Sequence, residues 1–265
     1  AVFFGNTPGE SEAAMSRKIG IALALLVFLS GLGVFAYPHI EGAVLESHAA
    51  EAVESFKNAF PRETHSSTPI DPIPPENTLI LPDRYPELYK AMWEYNRTIY
   101  AEHQKELSDP WAYENTSFDL TAYGLETDVI GVLTIPALEL EMPLYLGASY
   151  DHMAAGAAHL SQTSLPIGGD NTNCVIAGHR GWSGAPYFLH LDRLAEGDTV
   201  ILTNLWDTLE YTVSEIKIIE PNAVDEILIQ DGRDLLTLMT CHPPNSGGRF
   251  RYLVICERAK ESAPP

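Results

Sequence analysis

Basic side chains are scarce in this sequence: 16 lysines and arginines stand against 36 aspartates and glutamates, for a net charge of -20. That balance excludes broad contact with nucleic acid, because phosphate binding draws on a basic surface. It does not exclude a local basic site. Cysteine is sparse as well. Cys174, Cys241 and Cys256 are too few and too widely spaced for a disulfide scaffold or a zinc ribbon, and one at least stays unpaired within a monomer. There is no glycine-rich phosphate loop, no clustered metal-ligand spacing and no repeat of fixed period, so no metal or cofactor is implied. Apolar residues are not scarce. At 45% of 265 residues they suffice to bury a core and offset its ordering entropy, which argues against wholesale disorder.

The longest uncharged stretch runs from Ile19 to Ala36, preceded by Arg17 and Lys18 and closed by Tyr37 and Pro38. As a helix it would span roughly 27 Å, close to the roughly 30 Å of a bilayer's hydrocarbon core. The flanking positive charge places its N-terminal side in the cytoplasm and everything after Pro38 outside the cell membrane. Gly33-Val34-Phe35-Ala36 lacks the small-x-small pattern of a signal-peptidase site, so the run reads as a retained single-pass anchor. Glu41 to Phe60 follows as an amphipathic helix, with Val44, Ala49, Ala52, Val53, Phe56 and Phe60 near helical spacing. Prolines at 61, 69, 72, 74, 75, 82 and 86 then exclude regular structure and suggest an extended stalk. A second helix is expected over Glu87 to Leu107, stopped by Ser108-Asp109-Pro110.

Beyond Thr127 the pattern changes to short strands parted by turns: Val129 to Ile135, Leu138 to Leu146, Cys174 to Ala177, Thr199 to Thr203, Thr208 to Ile219, Leu235 to Thr240 and Tyr252 to Cys256. Long helical periods are missing between most of them, which favours an antiparallel or mixed β-barrel or sandwich over a βαβ fold. Two segments stand apart chemically. In Ala177-Gly178-His179-Arg180-Gly181 a histidine ends an apolar strand between glycines. In Thr237-Leu238-Met239-Thr240-Cys241 a cysteine ends a strand, and a loop returns Arg249 and Arg251 beside it. Only the thiolate is a competent nucleophile, and neighbouring cations favour it. A histidine can protonate the leaving amine, and a guanidinium can hydrogen-bond a developing oxyanion. No acid lies between Asp170 and Asp192 or between Asp234 and Glu257, so the sign within both windows favours a thiolate. The blander reading makes Cys241 a buried structural thiol and His179 an unrelated turn residue. Cys174 and Cys256, in apolar strands, read as packed core thiols, and His159 and His242 as bystanders. Trp182 and Tyr187 either line a groove or simply pack.

Thr237-Leu238-Met239-Thr240-Cys241 resembles the TLxTC signature of sortases, the cysteine transpeptidases of the Gram-positive cell surface. Ala177-Gly178-His179-Arg180-Gly181 is similar to the strand-end segment carrying the sortase histidine, and Arg251 stands where the sortase arginine opens a strand. Gly156 to Leu160 and Thr163 to Gly169 resemble the run before that histidine in class C, the pilin-polymerising sortases. Asp109-Pro110-Trp111 resembles the class C lid. The likeness spans roughly residues 87 to 258. The sequence departs from the class C pattern after the cysteine, where His242-Pro243-Pro244-Asn245 replaces threonine-proline-tyrosine-glycine and one extra residue precedes the arginine. Arg249 therefore competes with Arg251, which strand register favours.

The resemblance implies a mainly β fold, an eight-stranded sortase-type barrel with short helices, preceded by N-terminal helices and a transmembrane helix. It divides the chain into a cytoplasmic or appended N-terminus (1–18), an anchor (19–37), a helical and proline-rich stalk (38–86), a helix and lid (87–124) and a catalytic barrel (125–265). It makes Cys241 the nucleophile, His179 the general acid, Arg251 the oxyanion donor and Thr240 a substrate contact. Asp109 would pair with Arg251, and Trp111 would cover Cys241. The implied partners are an LPxTG-like sorting signal of a pilin or surface protein, and an amine acceptor that is a pilin lysine or a cell-wall precursor. Housekeeping-type anchoring of surface proteins, a non-catalytic binding module and a thiol hydrolase are the rival readings.

Overall fold

The structure is a computed structural model that describes residues 8–61, 81–105, 107 and 119–258, with side chains from residue 15 onward. It opens on one long helix, α1 (Pro8–Ala59), which contains Pro38. The expected helix over 41–60 is thus not a separate element. Pro38 removes one donor and crowds the preceding turn, yet the helix continues. Beyond it, Gly42, Ala49, Val53 and Phe56 are buried at helical spacing and hold that half against the rest of the protein. Each large apolar side chain buried in this way contributes roughly 1.5–3 kcal/mol. The side chains of residues 15–35, by contrast, are all exposed.

The helix α2 (Pro86–Ala101) ends six residues short of the expected Leu107. His103 and Gln104 take left-handed backbone angles. The cause is tertiary: Gln104 is buried, its Oε1 accepting from Ile229 N at 2.6 Å, its Nε2 donating to Gln162 O at 3.3 Å. A helix continuing to residue 107 would carry that amide away from both partners. The proposed lid residues Asp109, Pro110 and Trp111 lie outside the described residues, as does most of the proline-rich stretch.

The strands are β1 (Val129–Ile135), β2 (Leu140–Leu146), β3 (Ala157–His159), β4 (Thr172–Ala177), β5 (Arg180–Trp182), β6 (Ala185–Tyr187), β7 (Thr199–Asn204), β8 (Thr208–Ile219), β9 (Asp234–His242) and β10 (Phe250–Arg258), with a short helix α3 (Tyr150–Ala155) joining β2 to β3. Eight of them close a barrel in the order β1-β2-β3-β4-β9-β10-β8-β7, and β5 and β6 form a separate hairpin. The expected barrel and nearly all its long strands are present. The three-residue strands β3, β5 and β6 were not foreseen, being too short to show a period-two pattern. Leu133, Leu144, Ile176, Leu238 and Val254 fill the interior with no exposed surface. The pairings β2–β3 and β4–β9 are parallel and the others antiparallel. The parallel β4–β9 pair matters most, because it sends two strand ends to the same rim of the barrel.

Candidate active site

β9 and β10 pair antiparallel with Cys241 directly opposite Arg251. Directly opposed residues project to the same face with Cβ atoms roughly 4.5–5.5 Å apart. The loop between them returns over this pair. A Cβ added to Gly248 would meet Arg251 Nη1 at 2.9 Å and Cys241 Sγ at 3.4 Å, so the thiol and the guanidinium share the bare face of one glycine, held at φ +81. The guanidinium of Arg251 donates from Nη1 to Gly248 O at 2.6 Å and to Phe250 O at 3.2 Å. Arg251 is buried, whereas Arg249 is exposed in the loop. The geometry therefore groups Arg251, and not Arg249, with the thiol.

His179 follows β4. Since Ala177 is the partner of Met239 in the parallel pair, His179 lies level with Cys241. The backbone keeps that register past the strand end, with Gly178 N donating to Met239 O at 3.1 Å. Thr240 is fully buried and its hydroxyl donates to Gly178 O at 2.7 Å. That places Thr240 beneath the site, its hydroxyl tying the two strand ends together. Gly178 is required for space, since a Cβ would strike the Phe188 ring at 2.6 Å. The His179 ring stacks on Trp182, with centroids 4.4 Å apart and planes within 13°. Among the described residues its buried Nε2 has no hydrogen-bond partner. Such an orphan nitrogen at a strand end is what a proton-transfer role would leave in a resting site. Of the two aromatic residues noted in the sequence, Trp182 borders the site, while Tyr187 is buried with its hydroxyl donating to Ala154 O at 2.6 Å.

Arg180 completes the arrangement; the sequence marks it only as a cation within an acid-free window, with no role of its own. It is buried, donating to His242 Nδ1 at 2.8 Å and to Cys241 O at 3.4 Å. Its Nη2 pairs with Asp192 Oδ2 at 2.9 Å. The signal was its place next to His179, but its partners come from distant segments.

The thiolate expected from the acid-free windows is not the resting form. Burial pushes the Cys241 thiol up, and the opposing pull of Arg251 and then Arg180 does not overcome it. Desolvation disfavours the charged form, and Arg180 is also paired with Asp192. Burial likewise lowers the pKa of His179. The resting pair is a neutral thiol and a neutral imidazole. Cys174 and Cys256 are buried and unpaired, as expected of core thiols. Among the described residues no group of three or more His, Cys, Asp or Glu gathers to hold a metal.

A family model described as the Sortase domain matches residues 133–259. Sortase A of Streptococcus agalactiae is 31% identical over 126 residues, covering 46% of this chain and 50% of that protein. Sortase D of Bacillus subtilis is 27% identical over 130 residues, covering 48% of this chain and 63% of that one. The matched regions thus span half to under two thirds of these curated relatives. Among solved structures, Sortase C1 of GBS Pilus Island 1 superposes with a TM-score of 0.64 at 27% identity, covering 82% of this chain and 95% of that one. Streptococcus pneumoniae Sortase C superposes with a TM-score of 0.60 at 30% identity, covering 81% of this chain and all of that one, 100%.

Proposed function

The chain belongs to the sortase family, and from that premise we propose that it is a membrane-anchored cysteine transpeptidase acting on an LPxTG-like sorting signal. The observation that carries the reading is the opposition of Cys241 and Arg251 across β9 and β10, with His179 level with them at the end of β4. Cys241 gives its proton to His179 and attacks the threonine carbonyl of the threonine-glycine bond. Arg251 turns from the Gly248 and Phe250 carbonyls and donates to the oxyanion. His179 passes the proton to the departing glycine amine, leaving a threonyl thioester on Cys241. A primary amine then attacks that thioester, its lost proton returning through His179, and the thiol is restored as the new amide forms.

With the thiol raised and the imidazole lowered, only a small fraction of sites holds the reactive thiolate–imidazolium pair. That fraction stays constant between the two pKa values, so rate is insensitive to pH there. The exposed apolar half of α1 supports the anchor, with the barrel outside the cell. Superposition on the pilus-related sortases favours a pilin lysine as the amine over a cell-wall precursor. The test incubates the protein with an LPxTG peptide and a lysine-containing acceptor, with Cys241→Ala alongside. Ligated product that depends on Cys241 is expected. Cleavage without ligation would make the enzyme a hydrolase, and no Cys241-dependent turnover would leave a binding module.

A further inference from the structure

Two glycines mark a second surface, where α1 leaves its apolar stretch and first meets the folded domain. A Cβ added to Gly42 would lie 2.5 Å from the Gly184 carbonyl carbon and 2.9 Å from Ala185 N, and one added to Gly184 would fall on the Pro38 carbonyl oxygen. Helix and hairpin tip therefore touch backbone to backbone, which only residues without side chains allow. From this point the buried face of α1 continues through Ala49, Val53 and Phe56, so the helix is fixed to the domain over several turns. Pro38 lies two residues past Ala36, about 3 Å of helical rise beyond the end of the apolar stretch.

We propose that the tip of the β5–β6 hairpin, with Trp182 and Tyr150 beside it, is a docking surface for the interfacial layer of the bilayer. The inference rests on the anchor reading above. If residues 19–36 cross the membrane, the Gly42–Gly184 contact holds the tip at the level where they emerge. Exposed aromatic rings with polar tips gather there: Tyr37 is 63% exposed, and Tyr150 is 56% exposed with its ring edge-on to Trp182 at 5.8 Å. Amphipathic rings favour that layer. Residues 37–42, 149–151 and 181–187 contain no lysine or arginine, while Glu41 and Asp151 are acidic. The surface suits neutral headgroups, and its contact should be insensitive to salt, unlike a polybasic patch on anionic lipid. Because Trp182 also stacks on His179, the histidine side of the cleft opens beside the membrane.

The experiment places the full chain carrying Cys241→Ala in phosphatidylcholine vesicles, with a fluorophore at Ser183→Cys in the hairpin or at Asp170→Cys in the exposed turn before β4, at the opposite rim. Lipids bearing a headgroup spin label serve as quencher. Quenching of the 183 probe but not the 170 probe, unchanged by salt, is expected. Gly42→Leu should reduce quenching at 183 while the protein still floats with the vesicles. Equal quenching at both positions in floating protein, or unchanged quenching in Gly42→Leu, would overturn the docking surface. Protein that fails to float would overturn the anchor reading instead, and this inference with it.

Discussion

Cys241 and Cys256 sit on neighbouring strands of one barrel, His159 ends β3 and His179 follows β4, yet one member of each pair is reachable and the other is sealed. Cys256 faces the interior beside Leu236 and Val254, where burial alone pushes its thiol up to about 12. Cys241 is also pushed up by burial, but Arg251 and Arg180 pull against it. His159 is fully buried, its Nε2 near Ser164 O at 3.1 Å, and desolvation lowers it to about 4. His179 is half-buried, with a stacked ring and an Nε2 that has no hydrogen-bond partner among the described residues. The difference between rim and interior is position along the chain: Cys241, near the end of β9, and His179, two residues past β4, lie beyond the packed layer, within reach of loops and solvent.

The largest effect expected from this contrast is loss of turnover in Cys241→Ala by on the order of 10^4-fold or more, as for removal of any nucleophile. Cys256→Ala should keep kcat/KM near that of the parent. Equal losses would erase the contrast. Next, Arg251→Ala should lower kcat roughly 10^2–10^3-fold, the cost of one oxyanion donor, while Arg249→Ala stays close to normal. The reverse result would reassign the arginine.

The histidines separate by stability. The folded pKa of His159 lies below its unfolded value, so the unfolded chain binds the extra proton between pH 6.5 and about 4. Stability from keeping this imidazole neutral is therefore complete above pH 6.5 and lost as pH falls toward 4, by about 3 kcal/mol in all. Urea midpoints across that range should flatten in His159→Gln relative to the parent, and His179→Gln should change the slope less. Gly178→Ala should cost about 1–3 kcal/mol through overlap with Phe188, read from the same midpoints. Smallest, Cys256→Ala should cost about 1 kcal/mol for the core volume it removes.

The pairing of Cys241 with Arg251 was legible because a strand end, a short loop and a strand start fix which residues oppose each other. Counting from that register separated Arg251 from Arg249. The protonation state was not legible. Acid-free windows count neighbours along the chain, whereas the Arg180 charge is offset by Asp192 and its donors are aimed at His242, 62 residues away. Burial of the thiol is likewise set by the loop bearing Gly248. Thr240 was named from its place in a motif, which says nothing of its hydrogen bond to Gly178. The end of α2 was misplaced because Ile229 and Gln162, distant in sequence, claim the Gln104 amide.

The site rests as a neutral thiol beside a neutral imidazole, with burial outweighing two cations. The rate of Cys241 alkylation by iodoacetamide, followed by mass from pH 5 to pH 11, tests it most directly. A rate that rises through an apparent pKa above the ordinary thiol value of 9.0 is predicted. A reactive plateau already present below pH 7 would show a preformed thiolate–imidazolium pair and contradict the account.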